Sequence, residues 1–225
     1  MIKDNLIKRI LTSIILFSIL ISMFISSFLM IIFLIIILTI SWVEFNGLIF
    51  KIFINKKLKH NLIKFIFRGI TFLYLLTSVI FIFLVESWGS QGDPFKLYIF
   101  YSILVSISSD IGGFVIGKTF KGKKLSKISP NKTYSGSIGS FIFSIFLIFF
   151  FKNYFSSLET YSLVIITLLI SLISQLGDLF ISYLKRTANV KDTSNLLPGH
   201  GGLLDRIDGI LFAVPFGTVL IMLFI

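Results

Sequence analysis

Charge, glycine and proline concentrate in residues 182–208, a stretch that separates two strongly apolar segments of the chain. It contains three carboxylates, among them Asp205 and Asp208, and another, Asp178, stands just before it. Carboxylates are hard oxygen ligands of the kind that Mg²⁺ takes, usually one or two together with phosphate and water. The cations nearby suit such phosphates; they are Lys185, Arg186, Lys191 and Arg206. The stretch therefore predicts a metal-and-phosphate site, with Asp178, Asp205 and Asp208 as the metal ligands.

Each of these carboxylates also has a structural explanation. Ser182 and Lys185 follow Asp178 at helical spacing, so that one face runs from carboxylate to hydroxyl to cation. A salt bridge to a lysine or arginine would satisfy Asp178 there. Asp205 and Asp208 share a face at the start of the last apolar segment, where the helix dipole favours negative charge and Asp208 is a candidate cap. Three such groups around one loop favour the functional interpretation.

The loop between these carboxylates contains the run Pro-Gly-His-Gly-Gly, from Pro198 to Gly202. Glycine permits positive φ and leaves amide groups free to meet an anion, so Gly201 and Gly202 are candidate phosphate-binding residues. His200 is open to three interpretations, which are a general base, a phosphate donor and a hydrogen bond within the loop.

A second polar region lies earlier in the chain, where Asp110 interrupts an apolar segment. A carboxylate at this depth needs a partner, and we assign it to the substrate site. The small residues beside it, Gly112, Gly113 and Gly117, are typical of close helix packing.

The segment after Asp110 combines hydroxyls, a lysine, a proline and a glycine within residues 129–136. Such a loop can grip a nucleotide or a phosphate, and Ser129, Lys132 and Thr133 are its candidate ligands. The lysines before it are typical of a surface that meets anionic lipid.

Composition sets the class of protein that carries these groups. The 225 residues are 56% hydrophobic with a mean hydropathy of +0.98, which indicates an all-α, polytopic transmembrane helical bundle without a soluble domain. The chain has no cysteine, which excludes disulfides and thiolate metal sites. In such a protein a net charge of +11 reports orientation and anionic head groups, and we expect no nucleic acid partner.

Charge distribution predicts about seven spans. The first apolar segment, 10–43, is too long for one span, and Ser26-Ser27 near its middle suggests a hairpin. With a hairpin there, all lysines and arginines except Lys96 and Lys152 fall on one side. The positive-inside rule then puts the N-terminus and the polar loops in the cytoplasm. We expect N-terminal helices in 1–96 and a catalytic region in 97–225, with cytoplasmic loops 118–136 and 185–208.

The polar stretch also resembles a known signature. Residues Ser182 to Asp208 follow Ser-x-Leu-Lys-Arg, Lys-Asp and Pro-x-His-Gly-Gly-x-x-Asp-Arg-x-Asp, which is similar to the CTP:phosphatidate cytidylyltransferases, the CDP-diacylglycerol synthases. The element Gly177-Asp178-Leu179 and the loop Ser129–Thr133 fit the same family. One departure is Tyr134-Ser135-Gly136, where the family usually has Trp-Glu-Gly, so Ser135 receives no role.

The resemblance implies a reaction and a set of partners. CTP and phosphatidic acid would give CDP-diacylglycerol and pyrophosphate at a bacterial-type inner membrane, with the active site facing the cytoplasm. It implies Mg²⁺ in a di-metal centre, for which Asp178 and Asp205 are the nearest matches, with a monovalent cation as a candidate second ion. It also implies a homodimer. Lys185, Arg186, Lys191 and Arg206 would clamp phosphates.

Two other functions stay open at the level of sequence. A CTP-dependent polyprenol or lipid-alcohol kinase would use the same nucleotide, but it would transfer the γ-phosphate and need a general base. An anion or metal transporter would carry Asp110 and Asp178 along its path. The predicted outer loops are nearly free of charge, which counts against a transporter.

Overall fold

The computed structural model describes residues 2–53, 59–88, 95–126, 129 and 132–225. In these ranges the chain forms seven α-helices and no strand, which confirms the all-α class without a soluble domain. A short 3₁₀ turn, Lys152–Phe155, follows the fifth helix. The helices are α1 Ile2–Ile25, α2 Ser27–Phe53, α3 Lys59–Trp88, α4 Phe95–Phe120, α5 Tyr134–Phe151, α6 Thr160–Thr187 and α7 Leu204–Phe224.

Six of the described helices, α2 to α7, are long and apolar enough to cross a bilayer, which takes about 20 residues. In α1 the apolar part, Ile10–Ile25, is shorter. The integral-membrane class is therefore confirmed, whereas a seventh crossing by α1 and the side on which the N-terminus lies stay predictions.

The first apolar segment folds back on itself at Ser26, as predicted. Thr12 of α1 hydrogen-bonds to His200, and Glu44 of α2 accepts a bond from the amide of Leu203. A straight helix would separate Thr12 from Glu44 by about 48 Å. His200 and Leu203 are three residues apart, so they lie within about 11 Å of each other. Only a hairpin brings α1 and α2 to the same loop.

The chain forms two compact units. Unit 1 comprises Met1–Ser90 with Leu184–Ile207, and unit 2 comprises Gln91–Tyr183 with Asp208–Ile225. Most of the predicted loop 185–208 thus groups with the N-terminal helices, whereas the sequence-based division had placed it in the region 97–225.

In unit 2, glycine brings α4 and α5 into backbone contact. A Cβ at Gly112 would lie 2.4 Å from the carbonyl oxygen of Gly139, and one at Gly139 would lie 2.4 Å from the Cβ of Ile116. At Gly117 it would lie 3.1 Å from the hydroxyl of Thr133. The predicted packing role of these glycines is confirmed, and it fixes the helix that carries Asp110 against the start of α5.

Buried serines join α4 to α6 within unit 2. The hydroxyls of Ser106 and Ser174 lie 2.7 Å apart, and Ser171 donates to Ser109 at 3.0 Å. Small side chains and hydrogen bonds of this kind hold membrane helices together where no hydrophobic effect drives association. They also fix the α6 turn that precedes Asp178.

Candidate functional site

A cavity of about 290 Å³ lies in unit 2. Parts of α4, α6 and the start of α5 line it, together with Leu125, Ser129, Lys132 and Thr133. Its other polar lining residues are Asp110, Ser137, Ser140, Gln175 and Asp178. Binding pockets usually span about 300–1,000 Å³, so this cavity suits a charged group or part of a nucleotide rather than a whole enclosed one. The structure thus brings together the two polar regions that precede residue 180.

Asp178 is a partly exposed carboxylate of this cavity. Its Oδ2 forms an ion pair with Nζ of Lys132, and Ser182 donates a hydrogen bond to its Oδ1 at 3.3 Å. About a quarter of each side chain in the ion pair is exposed, 26% for Asp178 and 27% for Lys132. The salt bridge that was one explanation of Asp178 therefore exists. However, both of its members face the cavity, where a phosphate or a metal ion can compete for them.

Asp110 lines the same cavity from α4, one turn before Gly113 and Phe114, which also line it. The pairing of Asp110 with Asp178 around a single lysine gives the cavity two carboxylates and one cation. Such a set attracts a metal ion or a proton more strongly than it attracts a bare anion.

Hydrogen bonds within the chain fix the start of α5 beside these charges. Thr133 is the N-cap, and its hydroxyl accepts a bond from the amide of Gly136 at 3.1 Å. The helix begins at Tyr134, so the last three residues of the predicted loop 118–136 are helical. Ser135 hydrogen-bonds to the carbonyl of Lys121, which closes the loop. Pro130 and Asn131 lie outside the described residues.

Asp205 belongs to unit 1 and has a different environment. Its Oδ1 accepts a bond from Lys185 at 2.7 Å. Its Oδ2 accepts bonds from the amides of Thr193 and Gly202, at 2.8 and 3.0 Å. Only 4% of the side chain is exposed. This carboxylate organises its own loop, and Lys185 neutralises it.

Glu44 was missed by the sequence reasoning, although a lone carboxylate in an apolar helix is the signal that singled out Asp110. It lies in α2 with 6% exposure. The amides of Leu203 and Leu204 donate to it at 3.0 and 2.8 Å. The hydroxyls of Thr193 and Ser194 each donate to it at 2.7 Å. Glu44 therefore caps the start of α7 from another helix.

Asp208 is not a helix cap, and the capping explanation is wrong. Because α7 begins at Leu204, Asp208 lies beyond its first turn, and Glu44 takes the amides at its start. Asp208 belongs to unit 2 and is 9% exposed, and its Oδ1 accepts a bond from the amide of Gly209 at 2.9 Å.

The glycine-rich loop is a closed turn rather than an open amide cradle. The amide of His200 donates to the carbonyl of Leu197 at 2.9 Å, and Gly199 has a φ of +78°, as a type II turn with proline before the glycine requires. The amide of Gly201 also donates to Leu197, and that of Gly202 donates to Asp205. The expectation of free amides at Gly201 and Gly202 is therefore wrong. The anion that Gly202 meets is a carboxylate of the protein.

The other charged groups of this loop divide between internal contacts and solvent. The guanidinium of Arg206 donates twice to the carbonyl of His200, at 3.0 and 2.6 Å, and Nδ1 of His200 meets the hydroxyl of Thr12. Lys191 and Arg186 are exposed. The loop-internal interpretation of His200 thus has direct support, and Lys191 and Arg186 are the cations best placed to meet a soluble phosphate.

Within either unit, the described residues hold no cluster of three or more His, Asp or Glu side chains arranged for a metal ion. A magnesium ion would have to combine one or two carboxylates with phosphate oxygens, which is its usual ligand set. Asp178 fits that role because it is partly exposed and lines a cavity. At Asp205 one oxygen already has two amide donors and the other accepts from Lys185, so a metal ion would have to share Oδ1 with Lys185 or displace it. A metal centre that joins Asp178, Asp205 and Asp208 stays a prediction.

Residues 7–224 match the model of the cytidylyltransferase family. The chain belongs to the cytidylyltransferase family. The resemblance drawn from residues 182–208 is thereby confirmed, and it extends to the N-terminal helices.

Curated relatives share this family. Over 129 residues the chain is 45% identical to the phosphatidate cytidylyltransferase of Bacillus subtilis. This match covers 56% of the chain and 48% of that protein. It is 41% identical over 155 residues to the protein of that name from Rickettsia felis, a match that covers 63% of the chain and 67% of the relative. It is 34% identical over 163 residues to that of Staphylococcus haemolyticus, a match that covers 71% of the chain and 62% of the relative. The matches thus span about half to two thirds of these relatives.

Proposed function

We propose that this protein is a phosphatidate cytidylyltransferase, which makes CDP-diacylglycerol and pyrophosphate from CTP and phosphatidic acid. The observation that carries the proposal is the family match over residues 7–224, with relatives that bear this name. The cavity of unit 2 supports it, because it offers a lysine, hydroxyls and carboxylates beside a helix N-terminus. Apolar helices would keep the acyl chains of the lipid substrate in the membrane.

The reaction needs no nucleophile from the protein. A phosphate oxygen of phosphatidate attacks the α-phosphorus of CTP, a new P–O bond forms, and the bond to pyrophosphate breaks. The obstacle is repulsion between two anions, so positioning and charge neutralisation are the contributions that matter. In this proposal Lys132 binds a phosphate of CTP, while Ser129 and Thr133 hold the nucleotide. Asp110 and Ser182 keep Lys132 and Asp178 in place.

Magnesium fits this chemistry when bound, because it would neutralise phosphate oxygens and stabilise the leaving pyrophosphate. Asp178 is the ligand that the structure supports best. Asp205 and Asp208 are ligands by resemblance, and the same resemblance suggests a second, monovalent cation. Activity that persists in full after chelation with EDTA would contradict the magnesium requirement.

The remaining cations divide by their contacts. Lys191 and Arg186 are exposed, and we propose that they meet the phosphates of CTP. Lys185 and Arg206 already pair with Asp205 and with the carbonyl of His200, so they act on phosphates only if those contacts open. Gly201, Gly202 and His200 shape the loop in this scheme, with their amides turned inward.

Location and assembly are part of the proposal. The positive-inside rule puts the site at the cytoplasmic face of a bacterial-type inner membrane, and the resemblance suggests a homodimer. A fusion reporter at Ile225 that works only in the cytoplasm would contradict this topology. Crosslinking in native membranes should trap a dimer, and a monomer at all crosslinker concentrations would contradict the homodimer.

The assay that tests the function uses the purified full chain, phosphatidic acid, Mg²⁺ and CTP labelled at either the α- or the γ-phosphorus. Cytidylyltransfer puts only the α-label into the lipid, and the γ-label leaves as pyrophosphate. A lipid-alcohol kinase given its alcohol would do the reverse. Ion flux through proteoliposomes without CTP, together with no label in lipid, would favour a transporter.

A further inference from the structure

Glu44 is the most heavily engaged carboxylate outside the residues already assigned to the reaction. It is 6% exposed in the middle of an apolar helix, and two hydroxyls and two amides donate to it. Burying a carboxylate is costly unless hydrogen bonds compensate for lost water. Four short hydrogen bonds provide that compensation, and all four donors lie within residues 193–204.

These donors come from both ends of one loop. Thr193 and Ser194 lie near its start, whereas Leu203 and Leu204 lie at its end, where α7 begins. The carboxylate of Glu44 therefore joins the two ends of the loop. Lys191 and His200 lie within or beside the closed segment.

Thr193 connects Glu44 to Asp205. Its hydroxyl lies 2.7 Å from Oε2 of Glu44 and 3.0 Å from Oδ2 of Asp205, and its amide donates to the same oxygen of Asp205 at 2.8 Å. A threonine hydroxyl has a single proton, so the two carboxylates share one donor. A change at Glu44 is thereby transmitted to the position of Asp205 and to its partner Lys185.

Glu44 and Thr193 can keep these positions only if residue 202 is glycine. A Cβ there would lie 1.9 Å from the hydroxyl of Thr193 and 2.5 Å from Oε2 of Glu44. Both contacts are far shorter than packed atoms allow. Glycine at position 202 therefore allows Glu44 to approach the loop closely.

We propose that Glu44 is a positioning residue of the transferase, which holds the loop 193–204 and sets Asp205 through Thr193. This proposal rests on the proposed function for its kinetic consequence alone. The conformational consequence, an ordered loop held by α2, is measurable in a protein with or without activity.

The conformational test uses the lack of cysteine in the chain. Leu196 is 51% exposed in this loop, so Leu196→Cys provides a single thiol for a soluble maleimide. We expect Glu44→Gln to change the labelling rate about threefold or more, because an amide cannot accept from all four donors. The matched control is Glu159→Gln, which changes an exposed glutamate and should leave the rate unchanged.

The kinetic test separates positioning from general loss of structure. Thr193→Val removes the hydroxyl and keeps the shape, whereas Thr193→Ser keeps the hydroxyl. We expect Thr193→Val to lower kcat about tenfold with little change in the KM for CTP, and Thr193→Ser to restore kcat. We expect the combination with Glu44→Gln to lower kcat by less than the product of the two single effects.

The outcomes are distinct. If Thr193→Val changes neither the maleimide labelling rate nor kcat, the proposal is overturned. This variant decides the matter if Glu44→Gln does not fold. A wild-type protein that lacks transferase activity but shows the labelling change refutes the proposed function and keeps the role of Glu44 in the loop. Equal kcat losses in Thr193→Val and Thr193→Ser would also overturn it.

Discussion

Asp178 and Asp205 carry the same functional group in two contrasting settings. In unit 1, the side chain of Asp205 is 4% exposed and accepts hydrogen bonds from Lys185 and from two backbone amides. In unit 2, Asp178 is 26% exposed, and its partners are a lysine and one hydroxyl at 3.3 Å. The first carboxylate is committed to the fold of its loop. The second, Asp178, faces a cavity and can accept further ligands.

The difference has an energetic meaning. A partly exposed ion pair is worth about 0–1 kcal/mol, so the pair of Asp178 with Lys132 adds little to stability. Removing a buried acceptor leaves each of its donors unpaired, at about 1–3 kcal/mol apiece. Stability thus explains Asp205 but not Asp178. A carboxylate that contributes little to the fold at the membrane border is best explained by a ligand.

The largest expected effect is that of Asp178→Asn. Because the proposed metal ligand is lost, we expect turnover to fall about 1,000-fold, whereas the free energy of unfolding should change by less than about 1 kcal/mol. Turnover with CTP and unfolding of the purified protein in detergent measure the two quantities. Glu159→Gln is the control, and near-normal turnover in a folded Asp178→Asn protein would remove Asp178 from the site.

For Asp205→Asn we expect a loss of both stability and activity. The amide group of asparagine cannot accept from every donor that Asp205 now satisfies, so unfolding should become easier by about 1–3 kcal/mol. The same unfolding assay measures it. A stable but inactive Asp205→Asn protein would show that Asp205 acts as a ligand like Asp178, and the contrast between the two would disappear.

Gly139→Ala tests the helix contact that shapes the cavity. The new methyl would lie 2.4 Å from the Cβ of Ile116 and 2.6 Å from the carbonyl of Gly112, so we expect destabilisation by about 1–3 kcal/mol. The control is Gly47→Ala, where no atom lies within 4 Å and alanine should stabilise the helix by about 0.5–1 kcal/mol. Equal effects in the two variants would contradict close packing of α4 on α5.

Lys132→Met is expected to have the smallest of these effects. Loss of one phosphate contact should raise the KM for CTP about tenfold, which corresponds to about 1.4 kcal/mol, with little change in unfolding. Lys123→Met is the matched control, since Lys123 is exposed in the same loop. An equal rise in KM for both variants would reduce Lys132 to part of a general positive surface.

The fold was largely predictable, because long apolar segments in a membrane leave the backbone little choice but helix. The break at Ser26 and the packing glycines of α4 followed from residue type and spacing. Helix ends were less accurate: α6 continues through Arg186, and α7 begins at Leu204. Polar residues end apolar segments, but they do not end helices.

The site was only partly predictable. Asp110 and Asp178 are predicted as carboxylates in apolar segments and Lys132 as part of a polar loop, and the structure puts all three around one cavity. The role of Glu44 depends on contacts between residues about 150 positions apart, which local spacing does not reveal. Asp205 meets Lys185 across the loop that separates the last two helices. The free amides expected at Gly201 and Gly202 are instead used within the loop, since these amides donate to Leu197 and Asp205.

The most direct test of the central claim is transfer of the α-label from CTP to phosphatidic acid by the purified protein and by Asp178→Asn. The account predicts labelled CDP-diacylglycerol from the wild type, one pyrophosphate for each lipid labelled, and almost none from a variant that unfolds like the wild type. Equal labelling by both proteins, or lipid that carries only the γ-label, would contradict it.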